Sequence, residues 1–171
     1  MKSIGILSDT HSSIHKGILN FFLACDEIWH IGDIGSIKLI QELEKIAPVK
    51  GVYGNIDDYE IQTIFPEINT FEYENTKIAM IHIGGYPGRY SPKATKIIKE
   101  FKPKIFLSGH SHILKAIFDK KNNCLHLNPG AAGRYGFHKV VTAMRLKINN
   151  ENFSDLEIFE AERKASKFLI F

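Results

Sequence analysis

Five short apolar runs, each closed by a turn bearing an oxygen or imidazole side chain, constrain this 171-residue chain more than any other feature. Ile4 to Leu7 leads into Ser8-Asp9-Thr10-His11, Ile28 to Ile31 into Gly32-Asp33, and Val49 to Tyr53 into Gly54-Asn55-Ile56-Asp57. Ile78 to Ile81 leads into His82, and Ile105 to Leu107 into Ser108-Gly109-His110-Ser111-His112. Such runs, short and without polar alternation, read as strands buried on both faces. Between several of them apolar residues recur at helical spacing: Ile14, Ile18 and Phe22; Ile37, Ile40, Leu43 and Ile46 or Ala47; Ala94, Ile97, Ile98 and Phe101. Pro48 and Pro103 stop the last two. The alternation predicts an α/β arrangement with some parallel strands and helices packed on the sheet.

Beyond residue 70 the rhythm changes. Thr70 to Tyr73 and Lys77 to His82 flank a turn at Glu74-Asn75-Thr76, and Leu114 to Phe118 and Cys124 to Leu127 flank another at 119–123, which predicts two hairpins. Val140 to Ile148 and Leu156 to Phe159 add further strands. The expected architecture is α/β, a two-layer β-sandwich flanked by helices, in a single domain over residues 1–171 without repeats or linkers. The closing Phe168-Leu-Ile-Phe171 is too apolar for a free tail and is expected to pack on its own core or on a second copy, which makes a homodimer one expectation.

Charge and cysteine usage narrow the function classes. With 22 basic and 19 acidic residues interspersed, the net charge of +3 makes no stripe for duplex nucleic acid or an anionic membrane, but suits a small anionic substrate. Cys25 and Cys124 lack CxxC spacing and read as core thiols of a reducing compartment. No apolar run approaches the roughly 18 to 20 residues of a membrane span, and Met1-Lys-Ser runs straight into a strand with no signal-peptide shape, so the expected location is the cytoplasm.

Ligands in α/β sheets bind at the carboxyl ends of the strands, so the five polar turns are positioned to share one crevice. Taken singly, each has an ordinary explanation: a histidine after a strand is commonly structural, Asp9 could cap the following helix, and Gly54-Asn55 is a common turn. Jointly they say more. His110 and His112 stand two apart, so each can reach a different ion from one loop, and Asp9 and His11 repeat that spacing. Imidazole and carboxylate without thiolate suit manganese, iron, zinc or nickel.

Asp9-x-His11, Gly32-Asp33, Gly54-Asn55, His82 and Gly109-His110-x-His112, in this order, resemble the calcineurin-like metallophosphoesterases from residue 3 to about residue 140. The short chain and Asn128-Pro129-Gly130 are similar to the superfamily's small single-domain phosphodiesterase branch of bacteria and archaea. The resemblance implies the four-layer αββα fold of that superfamily. It also implies two divalent transition-metal ions, manganese first, with iron, nickel or zinc as alternatives. Asp9, His11 and His112 would bind one ion, and Asn55, His82 and His110 the other. Asp33 would bridge them, with Asp33, Asn55 and His82 as catalytic residues. The implied reaction is hydrolysis of a small phosphodiester by in-line attack of a hydroxide bridging the metals.

Many members carry a histidine after the GN block that serves the leaving group; Ile56 stands there instead. Loss of that acid predicts a preference for diesters with a good leaving group over ordinary monoesters. Asp57 reads either as a carboxylate supporting the ligands or as a turn aspartate, and His30 as a buried histidine behind Asp33. Arg89, Arg134 and His138 are candidate substrate contacts, whereas His15 and His126 have no assigned part. The alternative function is a scaffold, because the fold also resembles the metallophosphoesterase-like subunit of the retromer coat.

Overall fold

The buried runs divide their side chains between two faces with a period of two. Ile4 and Ile6 point one way and Leu7 the other; Trp29 and Ile31 oppose Ile28; Ile78 and Met80 oppose Ala79 and Ile81; Ile105 and Leu107 oppose Phe106. Both faces of each run are therefore covered, which explains why the sequence shows continuous apolar stretches.

The computed structural model describes residues 1–150 and 152–171. In chain order it places β1 (Lys2–Leu7), β2 (Ser13–His15), α1 (Lys16–Phe22), β3 (Glu27–Ile31), α2 (Ile37–Glu44), β4 (Val49–Val52), α3 (Tyr59–Ile64), β5 (Ile68–Tyr73) and β6 (Thr76–Ile81). There follow β7 (Gly85–Tyr86), β8 (Arg89–Tyr90), α4 (Pro92–Phe101), β9 (Ile105–Leu107), β10 (Leu114–Asp119), β11 (Cys124–Pro129), β12 (Val140–Asn149), β13 (Asn152–Glu162) and β14 (Phe168–Ile170). Two five-stranded sheets result, in the orders β13-β12-β1-β3-β4 and β10-β11-β9-β6-β5.

In the first sheet β1, β3 and β4 run parallel; in the second β6, β9 and β11 do. The sheets face each other across a layer built from Ile4, Ile6, Trp29, Ile31 and Val52 on one side and Ile78, Met80, Ile105, Leu107 and Leu127 on the other. Helices α1 and α2 bury Ile18, Phe22, Leu39 and Leu43 against the outer face of the first sheet, and α4 buries Ala94, Ile97 and Ile98 against the second. The expected four layers are present, in a mixed α/β fold.

Several local expectations are corrected. Asp9 caps no helix: α1 begins at Lys16 and is capped by His15, whose Nδ1 accepts from the Gly17 amide at 3.0 Å. Ile14, expected on that helix, lies in β2. Helix α3 is an addition, six residues long with one buried side chain, Ile61, too little for a periodic signal; Asp58 caps it by accepting from the Ile61 amide at 3.1 Å. Residues 85–90 hold the small β7–β8 hairpin, in which Gly85 pairs with Tyr90 and Tyr86 with Arg89.

The apolar C-terminus resolves within the chain. Strand β14 pairs antiparallel with β2, Phe168 is buried, and Leu169 and Phe171 pack on the α1–α2 core. The segment thus supplies no argument for a second copy. No helix is long and apolar enough to cross a membrane.

His126 on β11 is fully buried and stacked on Phe106, with ring centroids 5.9 Å apart. Neither of its ring nitrogens has a hydrogen-bond partner among the described residues. Burial, with Lys115 nearby, pushes its pKa down to about 4. The folded chain therefore holds His126 neutral at pH values where the unfolded chain, near the ordinary 6.5, binds a proton. Its contribution to stability is complete above pH 6.5 and is lost as pH falls from there through 4, by roughly 3 kcal/mol. Urea denaturation of wild type and His126→Phe across pH 7 to 4 should show a shallower loss of stability in the variant; identical slopes would contradict the assignment.

Candidate metal centre

Because β1, β3 and β4 are parallel in one sheet and β6 and β9 in the other, the turns after these five strands emerge at one edge of the sandwich. Backbone bonds lace them together: the Asp9 amide donates to Gly32 O (3.0 Å), His11 to Asp33 O (3.0 Å), and Gly109 to His82 O (2.9 Å). The last of these ties the turns after β9 and β6, while the Ser8 hydroxyl donates to Ile31 O at 3.1 Å.

Two ligand groups assemble there. Asp9, His11 and His112 offer three atoms within 4.8 Å of one another, and Asp33, His82 and His110 offer a second such set. The carboxylate of Asp33 belongs to both surroundings: Oδ2 lies 3.7 Å from His11 Nε2, and Oδ1 lies 3.2 Å from His82 Nε2. Asp9 Oδ1 is 3.0 Å from His112 Nε2, and its Oδ2 accepts from the His110 amide at 3.1 Å. His11 and His112 meet edge to face with centroids 5.7 Å apart, and His82 and His110 do so at 5.3 Å. Asn55, on the turn after β4, is exposed and lines a cleft together with His82.

These atoms are crowded yet unpaired. Asp9 Oδ1, His11 Nε2 and His82 Nε2 are buried without a hydrogen-bond partner among the described residues. Unpaired buried polar atoms are costly, so a cation is the natural partner for them. The tautomer of His82 fits that role. Its Nδ1 lies 2.7 Å from Ile31 O and donates there, which turns the lone pair of Nε2 toward the carboxylates. Burial opposes charge on this ring, but Asp33 and Asp9 outweigh it and hold its pKa above the ordinary value. Asp33 shifts the opposite way: burial would raise it, but His82, the Ile56 amide and His11 hold it down.

The turns that carry the ligands are strained. Asp9, His11, Asp33, His110 and His112 all adopt left-handed backbone, with φ of 54°, 45°, 54°, 65° and 58°. Non-glycine residues seldom sit there, and a concentration of them is typical of functional sites. Gly32 combines a φ of 87° with the close approach of the His82 ring, which would lie 2.7 Å from a Cβ. Gly54 adopts no such φ; its place is set by the Asp33 carboxylate packed where a Cβ would stand.

Behind the ligands, His30 is fully buried. Its Nδ1 accepts from the Gly32 amide (3.2 Å), so Nε2 carries the hydrogen and donates to Thr10 Oγ1 (2.9 Å), which donates to Ile34 O (3.0 Å). Burial, against the nearby charge of Asp9, pushes its pKa down to about 3 and keeps it neutral. Asp57 does not reach Asn55. It accepts from the amides of Gly54 and Gly35, both at 2.8 Å, and so clamps the turns after β4 and β3.

The substrate candidates fare unevenly. Arg89 is exposed in a depression shared with Thr95, Lys99 and Asp119, away from both ligand groups. His138 is exposed and lines a hollow with His112. Arg134 is half-buried, its backbone amide donating to Ser13 Oγ at 2.8 Å. Two supporting residues went unassigned by sequence reasoning: Thr10, and Asn128, whose Nδ2 donates to Gly109 O (3.0 Å) and Ser111 Oγ (3.1 Å) and so holds the His110 loop. Position between two ligands was the available signal for Thr10; nothing local marks Asn128 as a brace.

Comparison with known proteins agrees with this geometry. Residues 1–151 match the family model of the calcineurin-like phosphoesterase superfamily domain. A probable metallophosphoesterase of Methanothermobacter thermautotrophicus is 33% identical over 134 residues, 75% of this chain and 76% of that protein. One from Methanocaldococcus jannaschii is 31% identical over 134 residues, 75% and 67% of the two chains. In fold, zinc-complexed Vps29 from Entamoeba histolytica superimposes with a TM-score of 0.73 at 18% identity, covering 95% of this chain and 99% of that one. A predicted phosphoesterase from Streptococcus pneumoniae gives 0.69 at 22% identity, covering 99% and 97%. The chain thus belongs to the calcineurin-like phosphoesterase superfamily, whose general activity is metal-dependent phosphoester hydrolysis.

Proposed function

We propose that the protein is a dinuclear phosphodiesterase. Asp9, His11 and His112 hold one divalent ion, Asn55, His82 and His110 hold the other, and Asp33 lies between them. Manganese is the first choice of metal, with iron, nickel or zinc as alternatives, since the donors are imidazole, carboxylate and amide without thiolate. The observation that carries the reading is the split orientation of Asp33, one oxygen toward His11 and the other toward His82. A shared carboxylate suits two like charges held roughly 3.5 to 4 Å apart. When bound, such a pair supplies an ionised water as nucleophile and stabilises charge on the phosphoryl oxygens.

The chain's own residues do the positioning. The Ile56 amide donates to Asp33 Oδ1 at 3.2 Å and Ile31 O orients His82, so neither side chain has to reorganise during reaction. The Ile56 side chain is exposed beside Asn55 and has no proton to give to a departing alkoxide. Diesters with a stabilised leaving group are therefore favoured over monoesters. A second reading, a scaffold with little catalysis, draws on Ile56 and on the likeness of fold to Vps29. The sharing of Asp33 between two complete candidate ligand groups favours the catalytic reading.

Metal analysis of the reconstituted protein should find two ions per chain, falling to about one in His112→Ala and in His110→Ala; one ion in the wild type would sink the dinuclear reading. With manganese bound, bis-p-nitrophenyl phosphate should be cleaved at least tenfold faster than p-nitrophenyl phosphate, and Asp33→Ala should lower diester cleavage by about 10³-fold or more. Ile56→His should raise monoester cleavage by at least about tenfold if the missing acid is the limit. No gain, in a variant that keeps both ions, would place the selectivity elsewhere.

A further inference from the structure

Three candidate ligands are each followed by an isoleucine: Asn55-Ile56, His82-Ile83 and His112-Ile113. All three isoleucines are exposed, at 45%, 47% and 45%, although most branched apolar side chains of the chain are buried. One of them, Ile83, lines a cleft of about 450 Å³ that also takes in Asn55 and His82 of the second ligand group. Asn55 and His82 line it together with Tyr53, Ile83 and Pro92.

Two polar groups at this cleft are engaged within the chain. The Ser91 hydroxyl accepts from the Ala94 amide at 3.2 Å and so caps α4, and Lys93 is paired with Glu67 at the mouth. A ligand entering the cleft meets mainly carbon and one aromatic ring. A flat apolar group buries surface against Ile81, Ile83, Pro92 and the Tyr53 ring, whereas a sugar or glycerol group gives up more hydration to enter. The volume lies in the range of small-molecule sites and accommodates such a ring.

We infer that this cleft is a specificity subsite that receives an apolar, ring-bearing ester group of the phosphodiester while the phosphate lies at the metal centre. The inference rests on the phosphodiesterase reading for its orientation. Ile83 and Tyr53 act as specificity residues.

The test compares methyl p-nitrophenyl phosphate with phenyl p-nitrophenyl phosphate, which share a leaving group, on manganese-loaded wild type, Ile83→Ser and Tyr53→Ser. Calorimetric binding of diphenyl phosphate and dimethyl phosphate to the same proteins, with metal content measured throughout, gives a readout independent of turnover. The phenyl ester should exceed the methyl ester at least tenfold in kcat/KM, mostly through KM, and each variant should cut that ratio to below about threefold at unchanged metal content. Equal kcat/KM for the two esters in the wild type, or a ratio untouched by both variants, overturns the subsite and leaves the phosphodiesterase standing. If neither ester is cleaved with two ions bound, the catalytic reading fails. The subsite then stands only if diphenyl phosphate binds at least tenfold tighter than dimethyl phosphate and loses that margin in Ile83→Ser; equal binding overturns it.

Discussion

The layer of branched side chains between the two sheets is the constraint on which the site depends. Ile4, Ile6, Trp29 and Ile31 from one sheet meet Ile78, Met80, Ile105 and Leu107 from the other, all fully buried. Asp9 and Asp33 follow strands of the first sheet, and His82 and His110 follow strands of the second. Their separations of a few ångströms therefore exist only while this dry layer keeps the sheets at a single spacing. Close-packed interiors respond to the loss of even one methylene group, so a cavity beneath Ile31 or Leu107 would be felt at the metal centre.

Against that stable base, the turns store the cost of function. Left-handed backbone at five candidate ligands and unpaired buried atoms on Asp9, His11 and His82 oppose folding, and the packed layer outweighs them. The same features prepare the site. Donor atoms already turned inward need little rearrangement to accept a cation, and supporting groups such as Asp57, Asn128 and the His30–Thr10 pair fix the turns from behind. Binding of a cation would relieve the unpaired atoms, which couples metal affinity to stability.

Under the proposed function, chemistry and selectivity meet beside the second ligand group. Ile56 removes a proton donor from beside Asn55, and Ile83 extends an apolar surface from beside His82. Under that proposed function, both would favour a diester whose leaving group needs no help and whose ester group tolerates a carbon-lined cleft. Two of the bases expected to touch substrate line other hollows: Arg89 one on the α4 side, and His138 one beside His112.

Much was legible from local pattern. Strands buried on both faces leave unbroken apolar runs, so β1, β3, β4, β6 and β9 were visible, and with them every turn that carries a candidate ligand. The α3 helix was invisible because six residues with a single buried side chain carry no period, and the β2–β14 pair because it joins the two ends of the chain. What the sequence alone determined was the set of donor types, their order, and their places after buried strands, since these follow from residue identity and hydrophobic period. Which donors share an ion, that Asp33 faces both groups, and that Arg89 lies apart were decided by the tertiary structure. Distances of 3 to 4 Å between residues tens of positions apart depend on how two sheets pack, and no local pattern encodes that spacing.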